Sequence, residues 1–371
     1  MMFKCSQNQI CPLTIGLLTL LYGNCCLSQL AAQTGTFIDR QQTTDLRVVS
    51  YNILNDSIFP NVNAVQADKF ERVLAALDPD ILNLQEISVG RSEDVRILMN
   101  TLAPLPGGAS WFTYQSGGPV IASKYPLSLK AANTPPGQYR TNLALVDLPN
   151  DLYEVDLYVM NNHFVCCNTS EPPGPLDPRE RERQRQADAL VNWMRDARNV
   201  GGLIDLPHGT PMLVVGDLNI INDPDILDPL GTLLSGDIFD ELIFGADSPP
   251  DWDGSFATDA HPLHNGVGPD DYTWRDDNGP FEPGRLDYIL YTDSVIQEAN
   301  KFVLNTVDMT SVERLATGLQ EFDITVDLEG VAYDHLPVVV DFRIARIPEP
   351  STLLLAALAS WGLLLRSRTS H

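Results

Sequence analysis

Pro211-Met212-Leu213-Val214-Val215-Gly216-Asp217-Leu218-Asn219 is an apolar, β-branched run that stops on an acid and an amide. A short run of this kind, closed by turn formers, reads as a buried strand ending at Asp217. Outward from it the same pattern recurs. Leu46-Arg47-Val48-Val49-Ser50-Tyr51-Asn52-Ile53-Leu54 is a second buried strand, and residues 81–85 a third. Residues 120–122 form a short strand running into a Lys124-Tyr125-Pro126 turn. Residues 143–147 and 155–161 alternate as strands, and 285–291 and 336–344 are the last two. Helical spacing places Phe70, Val73, Leu74 and Leu77 on one face over residues 67–77, and Asp78-Pro79-Asp80 ends that helix. A long helix over 179–199 turns Ala187, Leu190, Val191 and Met194 inward, after a proline-rich loop at 172–178. Residues 247–284, rich in Asp, Gly and Pro, read as long surface loops. With no internal repeat and no interdomain linker, alternating strands and helices predict one α/β domain.

The strand ends concentrate the polar residues. Asn52 closes the strand at 46–54, Glu86 follows 81–85, and His163 follows 155–161. Asp217 and Asn219 follow 211–216, Asp287 lies within 285–291, and Asp334 and His335 precede 336–344. Loops beyond strand ends of an α/β sheet are a common place for an active site. One such residue would only make a turn, but six such ends carrying acids, amides and two histidines form a set. Phosphate ester hydrolysis uses that set. Hard oxygen ligands suit Mg²⁺, which keeps several waters and neutralises phosphate charge. A histidine held in one tautomer by a carboxylate can activate water, and a further His or Asn can donate to the nonbridging oxygens.

The series Ser50-Tyr51-Asn52, Leu84-Gln85-Glu86, Ala122-Ser123-Lys124-Tyr125-Pro126-Leu127, Asn162-His163-Phe164, Gly216-Asp217-Leu218-Asn219, Tyr272-Thr273-Trp274, Arg285-Leu286-Asp287-Tyr288-Ile289 and Asp334-His335-Leu336-Pro337-Val338 resembles the endonuclease/exonuclease/phosphatase superfamily. The resemblance covers residues 45–344 and rests mainly on Gly-Asp-Leu-Asn and Asp-His-Leu-Pro-Val in this order. It implies a four-layer α/β/β/α sandwich of two packed mixed sheets. It implies Glu86 as the chief ligand of Mg²⁺ (or Mn²⁺), with Asn52 beside it and Asp334 helping to bind or position the metal. His335 would be the general base, oriented by Asp287. Asp217 would orient or activate the attacking water, and Asn219 and His163 would stabilise the pentavalent phosphate. The chain departs from the pattern at Tyr333, where many members have Ser, and after Glu86, where Ile87-Ser88 keeps it only in part. Thr273-Trp274 matches the family's Thr-Trp pair, and equally reads as a packed loop aromatic.

Both ends lie outside that domain. Lys4, the apolar run 13–21 and Leu30-Ala31-Ala32 read as a signal peptide over residues 1–32, or as an uncleaved anchor. Pro348-Glu349-Pro350-Ser351, the apolar run 353–365 and the basic Arg366 and Arg368 resemble a PEP-CTERM sorting tail over 348–371. That resemblance implies a Gram-negative envelope, an exosortase-type processing enzyme and transient membrane contact; the other reading is a single-pass anchor. All these readings place the body outside the cytoplasm, secreted or at the cell surface, with a monomer expected. The 371 residues carry net charge −25, and 44% are hydrophobic, ample for a core. Lys4 is the only charge in residues 1–32, and Arg366 and Arg368 are the only charges after Ser351. Removing these three cations deepens the charge to −28. Such a field argues against nonspecific nucleic-acid binding through basic contacts, but not against a hydrolase that binds metal first. Four of six cysteines leave with the signal peptide. Cys166 and Cys167 remain as a vicinal disulfide or two thiols, with no zinc spacing.

Other polar clusters read as structure. Arg179, Arg181, Arg183 and Arg185, interleaved with Glu180 and Glu182, form a solvated helix start. Asp251-Trp252-Asp253-Gly254 and Asp276-Asp277-Asn278-Gly279 lack the terminal Glu of a calcium loop and read as turns. His261 and His264 read as loop residues. The functional reading is a metal-dependent phosphodiesterase, a nuclease first. The alternatives are a sphingomyelinase-like phospholipid phosphodiesterase, for which Trp111, Phe112, Trp252 and Phe256 offer apolar loops, and a small-molecule phosphatase. The inositol-phosphatase branch lacks its Trp before Gly216-Asp217 and its Pro-Ala-Trp-Cys-Asp-Arg segment. An inactive binding protein would have lost one of Glu86, Asp217, Asn219, Asp287 or His335, and all are present.

Overall fold

The central strands of each sheet arise where the sequence is mainly apolar, because both of their faces are covered. In a computed structural model, residues 35–131, 140–167, 172, 174–220, 227–276, 282–324 and 334–344 are described. The expected signal peptide, the sorting tail, Tyr333 and Asp277-Asn278-Gly279 lie outside them. The chain divides into two compact units after Thr36, and the larger runs from Phe37 onward.

Its elements are β1 (Leu46–Asn52), α1 (Ala64–Leu77), β2 (Ile81–Gln85), α2 (Ser92–Leu102), β3 (Phe112–Gln115), β4 (Val120–Ser123), β5 (Leu127–Ala131), β6 (Thr141–Val146), β7 (Leu157–His163), α3 (Pro178–Arg198), β8 (Met212–Asp217), α4 (Pro229–Ser235), α5 (Glu241–Phe244), β9 (Thr258–Asp259), β10 (Asp287–Tyr291), β11 (Ile296–Val303), α6 (Ser311–Thr317) and β12 (Val338–Ile344). They build two six-stranded mixed sheets, ordered β11-β12-β1-β2-β4-β3 and β5-β6-β7-β8-β10-β9. Each sheet has one parallel pair at its centre, β1 with β2 and β7 with β8, and those strands end together. One hydrophobic cluster joins α1 and α2 to the first sheet and takes in Leu157, Val159, Leu213, Val215 and Ile289 from the second. Their alternate neighbours Tyr158, Met160, Met212, Val214, Tyr288 and Leu290 pack with α3 in another cluster. The period-2 alternation of side chains thus gives the second sheet an inner and an outer apolar face, and helix, sheet, sheet and helix form four layers.

Helix ends follow local chemistry. Asn63 caps α1 by accepting from the Gln66 amide, so the helix begins before the apolar face at Phe70. Asp177 caps α3, and Pro178 fills the first turn, where its missing N–H costs nothing. One expectation for α3 is corrected: Arg183 is not solvated. It is 5% exposed and donates to the Val165 carbonyl at 2.9 Å, tying the helix to the chain beyond His163. The stretch 247–284 is also corrected, since it holds β9 and the buried Asp251, His264 and Thr273.

Across the first sheet, β1 and β12 are clamped by a buried ion pair. Arg47 donates from Nε and Nη2 to Asp341 at 2.7 and 2.8 Å, and also to the carbonyls of Leu77 and Ile38. Asp341→Ala leaves the guanidinium buried and uncompensated, so it lowers stability by about 3–5 kcal/mol, whereas replacing both partners, Arg47→Met with Asp341→Leu, recovers at least half of that loss. Urea unfolding of the three proteins measures it; a single-variant loss below about 1 kcal/mol would refute the clamp.

Candidate active site

Register alone assembles one side of the site. β7, β8 and β10 are adjacent, and His163 pairs with Asp217 while Asp217 pairs with Asp287. Paired residues project to the same face, so the three side chains stand in a row. Gly216 makes this register possible. Its φ is +126°, and a Cβ there would meet the Asn162 carbonyl oxygen at 2.0 Å. In the other sheet Asn52 pairs with Gln85, which puts Asn52 beside Glu86 at the ends of β1 and β2. Glu86 and Asn219 both take left-handed backbone conformations, φ 61° and 49°, where each strand gives way to its loop. Non-glycine residues held there at strand ends are typical of functional sites.

Asn52 joins the two sides. Its Nδ2 donates to Glu86 Oε1 at 3.2 Å and to Asp217 Oδ2 at 3.1 Å. The other Glu86 oxygen accepts from the Asn55 backbone at 3.0 Å. Asp217 Oδ2 also faces His163 Nε2 at 3.6 Å and His335 Nε2 at 3.7 Å, while Oδ1 accepts from the Asn219 amide at 3.0 Å. His335 Nδ1 lies 2.7 Å from Asp287 Oδ2. A carboxylate only accepts, so Nδ1 carries the proton and Nε2 points at Asp217. Thr273 braces the pair: its hydroxyl donates to Asp287 Oδ2 at 2.7 Å and accepts from the Leu286 and Asp287 amides. Trp274 Nε1 donates to Asp334 Oδ2 at 3.4 Å. Asn219 gives one amide hydrogen to the Phe164 carbonyl, leaving the other.

Burial and charge set the protonation states. Burial pushes His163 down to about 3, helped by the cations Arg140 and His335, so its imidazole is neutral. Burial alone would lower His335 too. The carboxylates of Asp287 and Asp217 overcome it and raise His335 to about 10. Asp217 is pushed up to about 7 by burial, against the opposing effect of His335. His335 therefore holds its proton beside the Asp287 and Asp217 carboxylates.

Two donor groups could hold a cation. The ligand atoms of Asp217, Asp287 and His335 lie within 4.8 Å of one another. However, Asp287 Oδ2 is already engaged by Thr273 and His335. The second group is Glu86, Asn52 and Asp334. Asp334 Oδ1 is buried without a hydrogen-bond partner, and among the described residues no cation pairs with Glu86. Partly exposed Glu86 can keep waters on a bound ion, as Mg²⁺ requires.

All eight residues singled out in the sequence lie at this one edge. Thr273, half of the Thr-Trp pair noted in the sequence, is a buried loop residue at 1% exposure whose hydroxyl makes three hydrogen bonds. Cys166 and Cys167 are free thiols. Trp111 is corrected from exposed loop to core at 1% exposure, and Trp252 packs against the α3 cluster with its indole N–H on the Thr210 carbonyl.

Two packed mixed sheets with acids, amides and histidines at the ends of their parallel pairs define a phosphoesterase architecture. The model of the Endonuclease/Exonuclease/phosphatase family matches residues 49–304, and the chain belongs to that family, whose members hydrolyse phosphoesters with divalent metal ions. The PEP-CTERM protein-sorting motif matches residues 346–368 and implies export to the cell envelope. No curated protein sequence matches the chain. Among solved structures, the endonuclease/exonuclease/phosphatase from Bacteroides vulgatus is 16% identical, with 81% of this chain and 99% of that one covered and a TM-score of 0.50. ANGEL2, a 2',3'-cyclic phosphatase solved with adenosine-2',3'-vanadate, is 15% identical, with 82% and 97% covered and a TM-score of 0.50. At these identities the likeness shows the fold.

Gly216→Ala forces a methyl group into the Asn162 carbonyl, so it shifts Asp217 out of line with His163. The left-handed strain alone costs about 1–3 kcal/mol, and the overlap adds to it. Thermal unfolding reads the loss; a variant as stable and as active as the parent would show that the register does not depend on this glycine.

Proposed function

We propose that the protein is an exported, divalent-metal-dependent phosphodiesterase, with nucleic acid as its first substrate class. The observation that carries this reading is Asp217 Oδ2, which stands between two histidine Nε2 atoms at 3.6 and 3.7 Å and on the Asn52 amide. A water or phosphate oxygen placed there meets a proton acceptor, a neutral imidazole and an amide donor at once. His335 serves as general base, fixed in tautomer and direction by Asp287. Asp217 orients the attacking water. His163, neutral through burial, and the spare amide hydrogen of Asn219 donate to the nonbridging oxygens as charge develops on phosphorus. Glu86, Asn52 and Asp334 would hold Mg²⁺ or Mn²⁺. Bound there, the ion neutralises phosphate charge and offsets the carboxylates that keep His335 protonated.

Residues 1–32 act as the signal peptide, 45–344 as the catalytic domain and 348–371 as a tail that an exosortase-type enzyme removes. Export agrees with the PEP-CTERM motif. Trp111 and Trp252 are packed inward, which leaves Phe112 and Phe256 as the exposed aromatics for a lipid-facing loop, so phospholipid is kept as the second substrate class.

The test is nicking of supercoiled plasmid by residues 33–347 with Mg²⁺, with EDTA, and with His335→Ala or Glu86→Gln. The wild type nicks with Mg²⁺ and stops with EDTA, and His335→Ala lowers the rate by roughly 10²-fold or more. A folded wild type that leaves plasmid intact but cleaves phospholipid or small phosphoesters would overturn the nucleic-acid assignment, and nicking that survives His335→Ala would overturn the base.

A further inference from the structure

His264 lies outside the row of strand-end residues, yet it is 2% exposed and fully engaged. Its Nε2 is 2.7 Å from the Tyr272 carbonyl oxygen. A carbonyl only accepts, so Nε2 carries the proton. Nδ1 is 3.2 Å from Asn305 Nδ2 and 3.3 Å from Asp308 Oδ2, and the ring meets Tyr272 edge-on at 4.2 Å. The residue after Tyr272 is Thr273, the brace of Asp287. The Thr273 carbonyl also accepts from the Leu336 amide at 2.6 Å, next to His335.

The frame that holds His264 is the same strand end that carries His335. Asn265 N donates to the Val303 carbonyl at 2.9 Å, and Val303 N donates to the Leu263 carbonyl at 3.0 Å. Asn265 and Asn305 exchange a reciprocal pair of bonds, both 3.0 Å. Val303 in turn pairs with Val338 at the start of β12, three residues after His335. The imidazole thus spans from the end of the first sheet to the segment that braces an aspartate of the second.

We propose that His264 is a positioning residue for the reaction. Through the Tyr272 carbonyl it sets the height of Thr273, whose hydroxyl orients Asp287, which fixes the tautomer and direction of His335. The kinetic part of this inference rests on the reading of His335 as the general base; the hydrogen-bond chain itself does not. A buried histidine with a purely local packing role would matter to stability alone. One that sets the Asp287–His335 bond matters to the chemical step at unchanged substrate affinity.

Two substitutions separate these cases, because they offer the amide at different heights. In His264→Gln, Nε2 takes the place of the ring Nε2 and still reaches the Tyr272 carbonyl. In His264→Asn, the shorter amide reaches only the Nδ1 side, toward Asn305 and Asp308. The first readout is the far-downfield proton NMR signal of the His335 Nδ1–H on Asp287 in the full chain, assigned by its loss in His335→Ala. The second is kcat and KM for bis(p-nitrophenyl) phosphate with Mg²⁺. His264→Asn shifts or abolishes the NMR signal and lowers kcat roughly 10- to 100-fold at unchanged KM, the scale of losing a bond that orients a reacting group. His264→Gln keeps both. A folded His264→Asn with the wild-type signal and kcat would overturn the proposal. Should His264→Asn not fold, loss of the signal in a folded His264→Gln would overturn it equally. If the wild type cleaves no phosphodiester, the functional reading fails, while the NMR comparison still decides the role of His264.

Discussion

One amide group holds the site together. The two hydrogens of Asn52 Nδ2 go to Glu86 on the first sheet and to Asp217 on the second. Two carboxylates brought this close repel each other, and a neutral double donor between them lowers that cost without adding a cation. A lysine or arginine there would satisfy both acids and close the site to a metal ion. Asparagine leaves the negative charge uncompensated, and that charge is what a divalent cation requires. The register of β7, β8 and β10 delivers Asp217 to this point, and the parallel pairing of β1 with β2 delivers Glu86.

The inner faces of the sheets grade in polarity toward this edge. Along β1, alternate residues run Val48, Ser50, Asn52; along β2, Ile81, Asn83, Gln85; along β7, Val159, Asn161, His163; along β8, Val215 then Asp217. At about 3.3 Å of rise per residue, each strand passes from hydrocarbon to charge over roughly one side-chain layer or two. Between hydrocarbon and acid lie neutral polar groups, Ser50, Asn83, Gln85 and Asn161. Gln85 donates to Asn161 across the gap at 2.7 Å, and Asn161 donates to the Leu84 and Val120 carbonyls. These bonds cross-link the sheets directly behind Glu86 and His163. Unpaired, such amides would be costly to bury, and paired they fix a spacing that apolar contact alone leaves loose.

The same grading explains what the sequence disclosed. β1, β2, β7 and β8 are buried on both faces, so they read as mainly apolar runs, and their polar ends stand out at the point of change. β11 is the edge of its sheet, and Ile-Gln-Glu-Ala-Asn-Lys-Phe-Val carries too few apolar residues to mark a strand. α2 presents only Val95 and Met99 as buried residues, which is too short a stripe to stand out. In 247–284 the composition of a loop conceals buried groups satisfied by hydrogen bonds rather than by apolar packing. Thr273 and His264 are of this kind. Their roles depend on which carbonyl or carboxylate they meet, and sequence spacing does not encode that. The residues gathered at this edge were therefore legible from strand ends, while the bonds that orient them were not.

The acidic body sharpens the demand on the site. With net charge −25 over the chain and four carboxylates at the catalytic edge, a phosphodiester approaches against the field. Arg140 and His335 are the cations that act on His163, and His335 is itself held between Asp217 and Asp287. His335 offsets part of the charge of Asp217 and Asp287, and among the described residues no cation pairs with Glu86, so the edge stays acidic. Donors such as His163 and Asn219 are neutral, which lets them bond to phosphate oxygen without first releasing a carboxylate partner. On the proposed reading, affinity for substrate depends on an ion held by Glu86 and Asp334. The PEP-CTERM motif implies export to the envelope, where, on the proposed reading, such a site needs both a phosphoester and a divalent ion.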